Sequence, residues 1–168
     1  GTITDMPDWE AMGQLGGMLG YLEQDGKTPS DGFTGDHWDL TEFLAKTQFT
    51  TYIHDNYGLD YIDGGCMLGL LMQLRQRNLI TVADLDGIDM KWGDVHAVDA
   101  ILKKTVAREG IGDVLANGTW ETAKYFANKY NKPEIMKYSQ TTHRYGQPAH
   151  GVRGIDKDAL EYMTVNRA

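Results

Sequence analysis

The sequence predicts a mainly α-helical protein, an irregular helical domain interrupted by two long loops. Three observations carry this expectation. Apolar residues recur at three- and four-residue steps in several stretches, capping residues stand where those stretches begin, and no alternating run is long enough to specify a strand. With 41% hydrophobic residues among 168, the chain can bury one sizeable core, so residues 1–168 are expected to form a single helical domain.

The elements follow in chain order. Gly16, Gly17 and Gly20 have a small-residue spacing that would permit close approach of a helix or a cofactor. Residues 23–37, with Gly26, Pro29, Gly32 and Gly35, read as the first polar loop. Asp39 and Glu42 then have the spacing of a capping box, and Leu40, Phe43, Leu44, Phe49, Tyr52 and Ile53 keep helical spacing up to Tyr57. Gly58 falls where the helix needs positive φ to end. Residues 66–77 form an apolar-rich helix that Asn78 could stop, and Thr81 with Asp84 resembles a shorter start. Asp94 opens the clearest amphipathic helix, with Val95, Val98, Ile101, Leu102 and Val106 inward and Gly110 closing it. Residues 113–117 make about one turn ended by Gly118. Thr119 is expected to cap a last helix through Trp120, Ala123, Phe126 and Ala127 to Asn131, which Pro133 keeps from continuing. Residues 138–153 read as the second long loop. Connectors of this length are usually site-forming or mobile, so each is expected to line a cleft or cover a partner.

Several function classes are disfavoured. The longest apolar run, Met67 to Met72, is far shorter than the ~20 residues that span a bilayer. A formal charge of −8 with scattered Lys and Arg argues against nucleic-acid binding. The chain opens Gly1-Thr2 with neither Met nor a signal sequence, which suggests a trimmed or partial chain in the cytoplasm. Its single cysteine, Cys66, excludes an intrachain disulfide or a four-thiolate cluster built from this chain, and is expected to be buried. His37, His54, His96, His143 and His150 lack zinc-site spacing, so no metal ligand is assigned.

The stretch Asp55-Asn56-Tyr57-Gly58-Leu59-Asp60 carries the most chemistry. It sets two carboxylates around a glycine turn, where both could accept N–H bonds from one planar ligand such as a 2-amino-pyrimidinone ring. The same residues also read as a helix end with two solvated aspartates.

The surrounding motifs extend this reading. Gly58-Leu59-Asp60, Gly64-Gly65, Asn78-Leu79-Ile80-Thr81, Lys91-Trp92-Gly93-Asp94 and the run from Ala107 to Gly118 resemble, in order and spacing, the middle domain of the aldehyde ferredoxin oxidoreductase family. The resemblance implies that family's irregular helical fold and its metal cofactor, a tungstopterin or molybdopterin in which two pterins hold the metal. It implies that Asp55, Gly58, Leu59 and Asp60 seat one pterin. In Pro7-Asp8-Trp9-Glu10, Glu10 corresponds to an acidic residue near the metal, where a raised pKa would let it exchange protons in catalysis. Near the other end Asn166-Arg167-Ala168 resembles a segment that leads to the family's active-site histidine, and Arg167 could bind a pterin phosphate. His143 or His150 could stand in for that histidine.

The resemblance also implies the reaction. Oxygen from water is added to a small aldehyde, giving a carboxylate, and electrons leave through a 4Fe-4S cluster to ferredoxin. The cluster cysteines and the second pterin signature are missing here, so the cluster is not ligated by this chain. The isolated chain is expected to be inactive and to work with the remainder of the enzyme or companion subunits, with homodimerisation left open. The alternative is a non-catalytic helical interaction module that keeps the scaffold without the cofactor.

Overall fold

The structure, a computed structural model, describes residues 56–147. Four α-helices dominate: α1 (Tyr61–Gln76), α2 (Val95–Ala107), the single-turn α3 (Gly112–Leu115) and α4 (Thr119–Tyr130). Two 3₁₀ segments, Ala83–Leu85 and Pro133–Tyr138, and a small antiparallel hairpin, β1 (Thr141–Thr142) and β2 (Tyr145–Gly146), complete the described part. The mainly helical expectation holds. The first long loop, residues 23–37, and the expected helix after Asp39 lie outside the described residues.

Helix α1 is the centre of the core. Met67, Leu68, Leu70, Leu71, Met72 and Leu74 are all buried, and at ~100° per residue they cover rather more than half of its circumference. Burial of these six side chains contributes on the order of 10 kcal/mol before conformational entropy is charged against it. Around α1 pack α4, β2 and the Pro133–Tyr138 turn, while α3 joins α2 to α4. Among the described residues no helix is long and apolar enough to cross a membrane.

The helix starts show where sequence reading is exact and where it is not. α1 begins at Tyr61, five residues before the expected Cys66, because Asp60 caps it by accepting from the Ile62 and Asp63 N–H groups at 2.9 Å each. Asp94 caps α2 as expected, accepting from His96 and Ala97 at 3.0 Å. Thr81 and Asp84 cap one another across the Ala83–Leu85 turn, with the Thr81 N–H 2.6 Å from Asp84 Oδ2. Thr119 is not a cap: Gly118 occupies that position, and Thr119 is the first helical residue of α4, fully buried.

Helix ends follow one pattern. In α1 the N–H of Leu79 reaches the Leu74 carbonyl (2.9 Å) and that of Asn78 the Arg75 carbonyl (3.0 Å), with Asn78 at φ +54. The same pair of bonds ends α2 at Arg108 and α4 at Asn131. Arg108 therefore closes α2, two residues before the expected Gly110. Val106 also departs from expectation, being 48% exposed, because Thr105 takes the inward position and donates its hydroxyl to the Ile101 carbonyl at 2.8 Å. Gly112 is fixed by close approach: a Cβ there would lie 2.0 Å from the Lys104 carbonyl oxygen at the end of α2.

The residues expected to form the second long loop are partly ordered into the hairpin. Its two central residues, His143 (φ +52) and Arg144 (φ +72), are both left-handed, the geometry of the tight turns that match strand twist. Two-residue strands without glycine at the turn leave almost no trace in a sequence pattern.

Candidate functional site

The turn at Gly58 sets up the site. Asn56 and Tyr57 are helical, Gly58 takes φ +64 as expected, and Leu59 follows half-buried before Asp60 starts α1. A glycine tolerates this φ without the penalty that a Cβ would bring. Tyr57 is tied to α2 through its hydroxyl, 3.4 Å from Asp99 Oδ1.

Beside this turn lies a cavity of about 320 Å³. Leu59, Asp60, Asp63 and Gly64 border it from the turn and the start of α1, Asn117 and Gly118 from the entry to α4, and Arg144 and Tyr145 from the hairpin. Its apolar lining includes Met67, Leu102 and Leu115. An apolar wall with a few polar groups converging on it is the usual make-up of a small-molecule site, and the volume falls near the lower end of the ~300–1,000 Å³ typical of such sites. The Asp60 carboxylate is exposed at its border, with Oδ1 committed to the two N–H groups that it caps. A second cavity, about 230 Å³, lies between Met72, Met90 and Trp92, but its polar groups serve each other: Arg75 donates to Asp89 at 2.7 Å and to the Ile80 carbonyl at 2.9 Å. That pairing holds the Asp89 carboxyl below the usual carboxylate range.

Asp63 holds the first cavity together. Its Oδ1 accepts from the Gly146 N–H (2.8 Å), its Oδ2 from the Thr119 N–H (3.2 Å), and its backbone carbonyl from the Thr119 hydroxyl (2.9 Å). One residue thus caps α4 from 56 positions away and pins the hairpin to α1. Cys66, half-buried rather than buried, adds a contact from its Sγ to the Gln147 carbonyl at 3.2 Å. The hairpin is further closed by a Gln147–Thr142 side-chain bond.

Arg144, which also borders the cavity, lies 4.5 Å over the Trp120 ring, with Lys124 4.9 Å from the same ring. Arg144 Nη1 is 3.9 Å from Glu121 Oε1, a long and exposed pairing worth little. Two further carboxylates are structural. Asp84, almost fully buried, receives Lys129 and Tyr130 at 2.5 Å each, and these bonds with those from Thr81 hold it far below its ordinary range against the cost of burial. Asp86 accepts from the Ile111 N–H (2.9 Å) and faces Lys104 (3.2 Å), which also lowers it.

Of the site residues expected from sequence, the described part contains Gly58, Leu59 and Asp60, and two of them border the cavity. Asp55, Glu10, Arg167, His37, His54 and His150 lie outside the described residues. His143 is exposed at the hairpin turn and is not among the cavity's lining residues. Among the described residues no group of three His, Cys, Asp or Glu side chains could hold a metal ion. Asp63, Asn117, Arg144 and Tyr145 were not expected at the site. They reach it only through tertiary structure, although the expectation that the second long loop lines a cleft holds for Arg144 and Tyr145.

Comparison with known proteins decides the family. The family described as aldehyde ferredoxin oxidoreductase, domains 2 & 3, matches residues 2–168. The chain belongs to the aldehyde ferredoxin oxidoreductase family. It is 31% identical to the aliphatic sulfonate oxidoreductase, WOR-like subunit, of Pyrococcus furiosus, over 91% of this chain and 21% of that protein. To the tungsten-containing aldehyde ferredoxin oxidoreductases of Pyrococcus furiosus and Thermococcus kodakarensis it is 28% and 27% identical, over 98% of this chain and 23% of each relative. The chain therefore spans less than a quarter of the length of the aldehyde ferredoxin oxidoreductase family members that it matches.

Proposed function

We propose that this chain is a pterin-seating helical segment of a tungsten-dependent oxidoreductase, working as one domain with the remainder of a larger enzyme or with companion subunits. The observation that carries the reading is the cavity beside the Gly58 turn, bordered by Leu59 and Asp60 of the motif that resembles a pterin signature. Its chemistry suits one end of a pterin. Asp60 offers a carboxylate to the N–H edge of the ring system, and Leu59, Met67 and Leu115 offer an apolar wall to its flat part. Asp55, five residues before Asp60, is the second carboxylate of the seat. Arg167 offers guanidinium N–H groups to the phosphate of the pterin.

When bound, the tungsten–pterin group supplies the two-electron redox chemistry. The residues of this chain hold and orient it, and the apolar lining keeps water from the buried side of the ring system. Glu10 is assigned the proton work, its carboxylate oxygen taking up a proton released as an aldehyde is oxidised in water. A 4Fe-4S cluster held by the remainder of the enzyme would supply the route by which electrons leave to ferredoxin. The relatives' names give different substrates, aldehyde in one case and aliphatic sulfonate in the other. Aldehyde is the substrate class proposed, on the strength of the motifs that resemble the aldehyde-oxidising members.

The test uses Asp60→Asn in the enzyme that contains this chain, purified anaerobically. Asparagine is as good a helix cap as aspartate, so the start of α1 keeps its stability while the ring's N–H edge loses its anionic acceptor. The expected result is tungsten and pterin bound in the wild type and depleted in the variant, with unchanged helicity. Full pterin content in Asp60→Asn would remove the assignment, and a wild-type protein without tungsten or molybdenum would leave the non-catalytic module.

A further inference from the structure

We infer that Arg144 is a second polar contact for the molecule seated against Leu59 and Asp60, donating through its guanidinium to an oxygen acceptor on that molecule. The inference rests on the reading of the cavity as a ligand seat and adds a residue on its far side in sequence. Arg144 and Asp60 border the same cavity although 84 positions separate them. They bring opposite charges to it. A ligand that satisfies both carries N–H donors and an oxygen acceptor on one planar heterocycle, the arrangement of an amide-like ring edge.

The hairpin is built to hold Arg144 in place. Its base is fixed by the Gly146 bond to Asp63 at 2.8 Å and by the Gln147 carbonyl's contact with Cys66 at 3.2 Å. Its tip places two residues with side chains at positive φ, which costs about 1 kcal/mol each or more relative to glycine. The guanidinium lies 4.5 Å over the Trp120 ring, which restrains the side chain, while its one carboxylate neighbour, Glu121, stands 3.9 Å away. Among the described residues no other carboxylate pairs with Arg144, so the contact with Trp120 is its main restraint. A fork restrained in this way loses less freedom when it meets an acceptor than a free side chain would.

The experiment compares Arg144→Met, Arg144→Lys and Asp60→Asn in the whole enzyme. Methionine keeps an apolar stem on Trp120 and removes the donors. Two quantities are read: the pterin retained per chain after prolonged dialysis, and the hydrogen-exchange protection of the Gly146 amide. Arg144→Met is expected to lower retention by about tenfold, as loss of one hydrogen bond to a charged group implies, with Gly146 protection unchanged and Arg144→Lys intermediate. Wild-type retention in Arg144→Met together with loss in Asp60→Asn would overturn the role of Arg144 and leave the seat intact. Retention in both would overturn the seat as well. Loss of pterin accompanied by loss of Gly146 protection would make Arg144 a support of the hairpin only, which also overturns the inference.

Discussion

Replacing Asp63 by alanine should loosen three elements at once. The carboxylate accepts from the Gly146 N–H at 2.8 Å and the Thr119 N–H at 3.2 Å, and both residues are buried. Water cannot easily replace a buried acceptor, so each orphaned N–H costs ~1–3 kcal/mol. Some of this is offset because the desolvated carboxylate is gone too, and its favourable place in the first turn of α1 is worth only ~0.3–1 kcal/mol. The net expectation is a local destabilisation of about 3 kcal/mol, which is roughly a hundredfold change in an opening equilibrium. Hydrogen-exchange mass spectrometry of the whole enzyme reads this directly, because peptides covering residues 139–147 and the start of α4 should exchange about a hundredfold faster while the Leu68–Leu74 region is unchanged. Asparagine keeps one acceptor and turns a donor toward the other N–H, so Asp63→Asn should fall between. Protection within threefold of wild type in Asp63→Ala would refute the idea that one carboxylate ties the hairpin to the two helices.

Asp84→Ala should destabilise the protein by ~1–3 kcal/mol at pH 7, since it takes the acceptor from the Tyr130 hydroxyl while the half-exposed Lys129 can turn to water, and denaturant unfolding checks this. The Asp84 pKa is depressed in the folded state, so its contribution is present above the ordinary carboxylate range and is lost as pH falls through its depressed folded value. The stability gap between wild type and Asp84→Asn should accordingly narrow in acid, and a gap independent of pH would exclude the ion pair as its source. Gly112→Ala should lower the unfolding midpoint markedly, because the added Cβ meets the Lys104 backbone 2.0 Å away, whereas Gly58→Ala meets no atom within 4 Å and should cost only the ~1–2 kcal/mol of a left-handed residue. Equal losses at the two glycines would mean that close approach does not explain Gly112.

The legibility of this fold in its sequence followed the range of the forces involved. α2 was readable because its cap, Asp94, and its apolar stripe are local; its end was placed two residues late at Gly110, and Val106 was misplaced by treating a valine as necessarily inward when Thr105 could bond its own helix. α1 was harder because apolar residues cover most of it, so periodicity marks no start and the expected one at Cys66 fell five residues too late. α4 was misread at its first residue for a different reason. The threonine rule names the commonest local cap, but here the N–H is satisfied by Asp63 from far along the chain. The hairpin, with two residues per strand and His143-Arg144 at the turn, has no pattern to read. At the site the motif residues Gly58, Leu59 and Asp60 were visible in sequence, while Asp63, Asn117, Arg144 and Tyr145 belong to it only by tertiary contact.

Asp60 caps α1, and the physics of helix termini makes that place compatible with the ligand-carboxylate role proposed for it. A bare helix start carries a partial positive charge and exposed N–H groups, and it therefore attracts anions and repels donors. Asp60 places a full negative charge on that start and occupies the Ile62 and Asp63 N–H groups with one oxygen. The local polarity is thereby inverted. On the proposed reading a donor edge would approach where an anion otherwise would, and the capping bonds, by restraining the carboxylate, would lower the cost of ordering it. The acceptor side of the proposed ligand would then need positive charge from elsewhere, and Arg144 of the hairpin borders the same cavity. On the proposed reading, cap, turn and hairpin would serve as one recognition surface, since all three border the same cavity. This is why Asp60→Asn, which keeps the capping oxygen and replaces the other, charged oxygen by an amide donor, separates structure from binding more cleanly than Asp60→Ala, which would lose ~1 kcal/mol of capping together with any ligand contact.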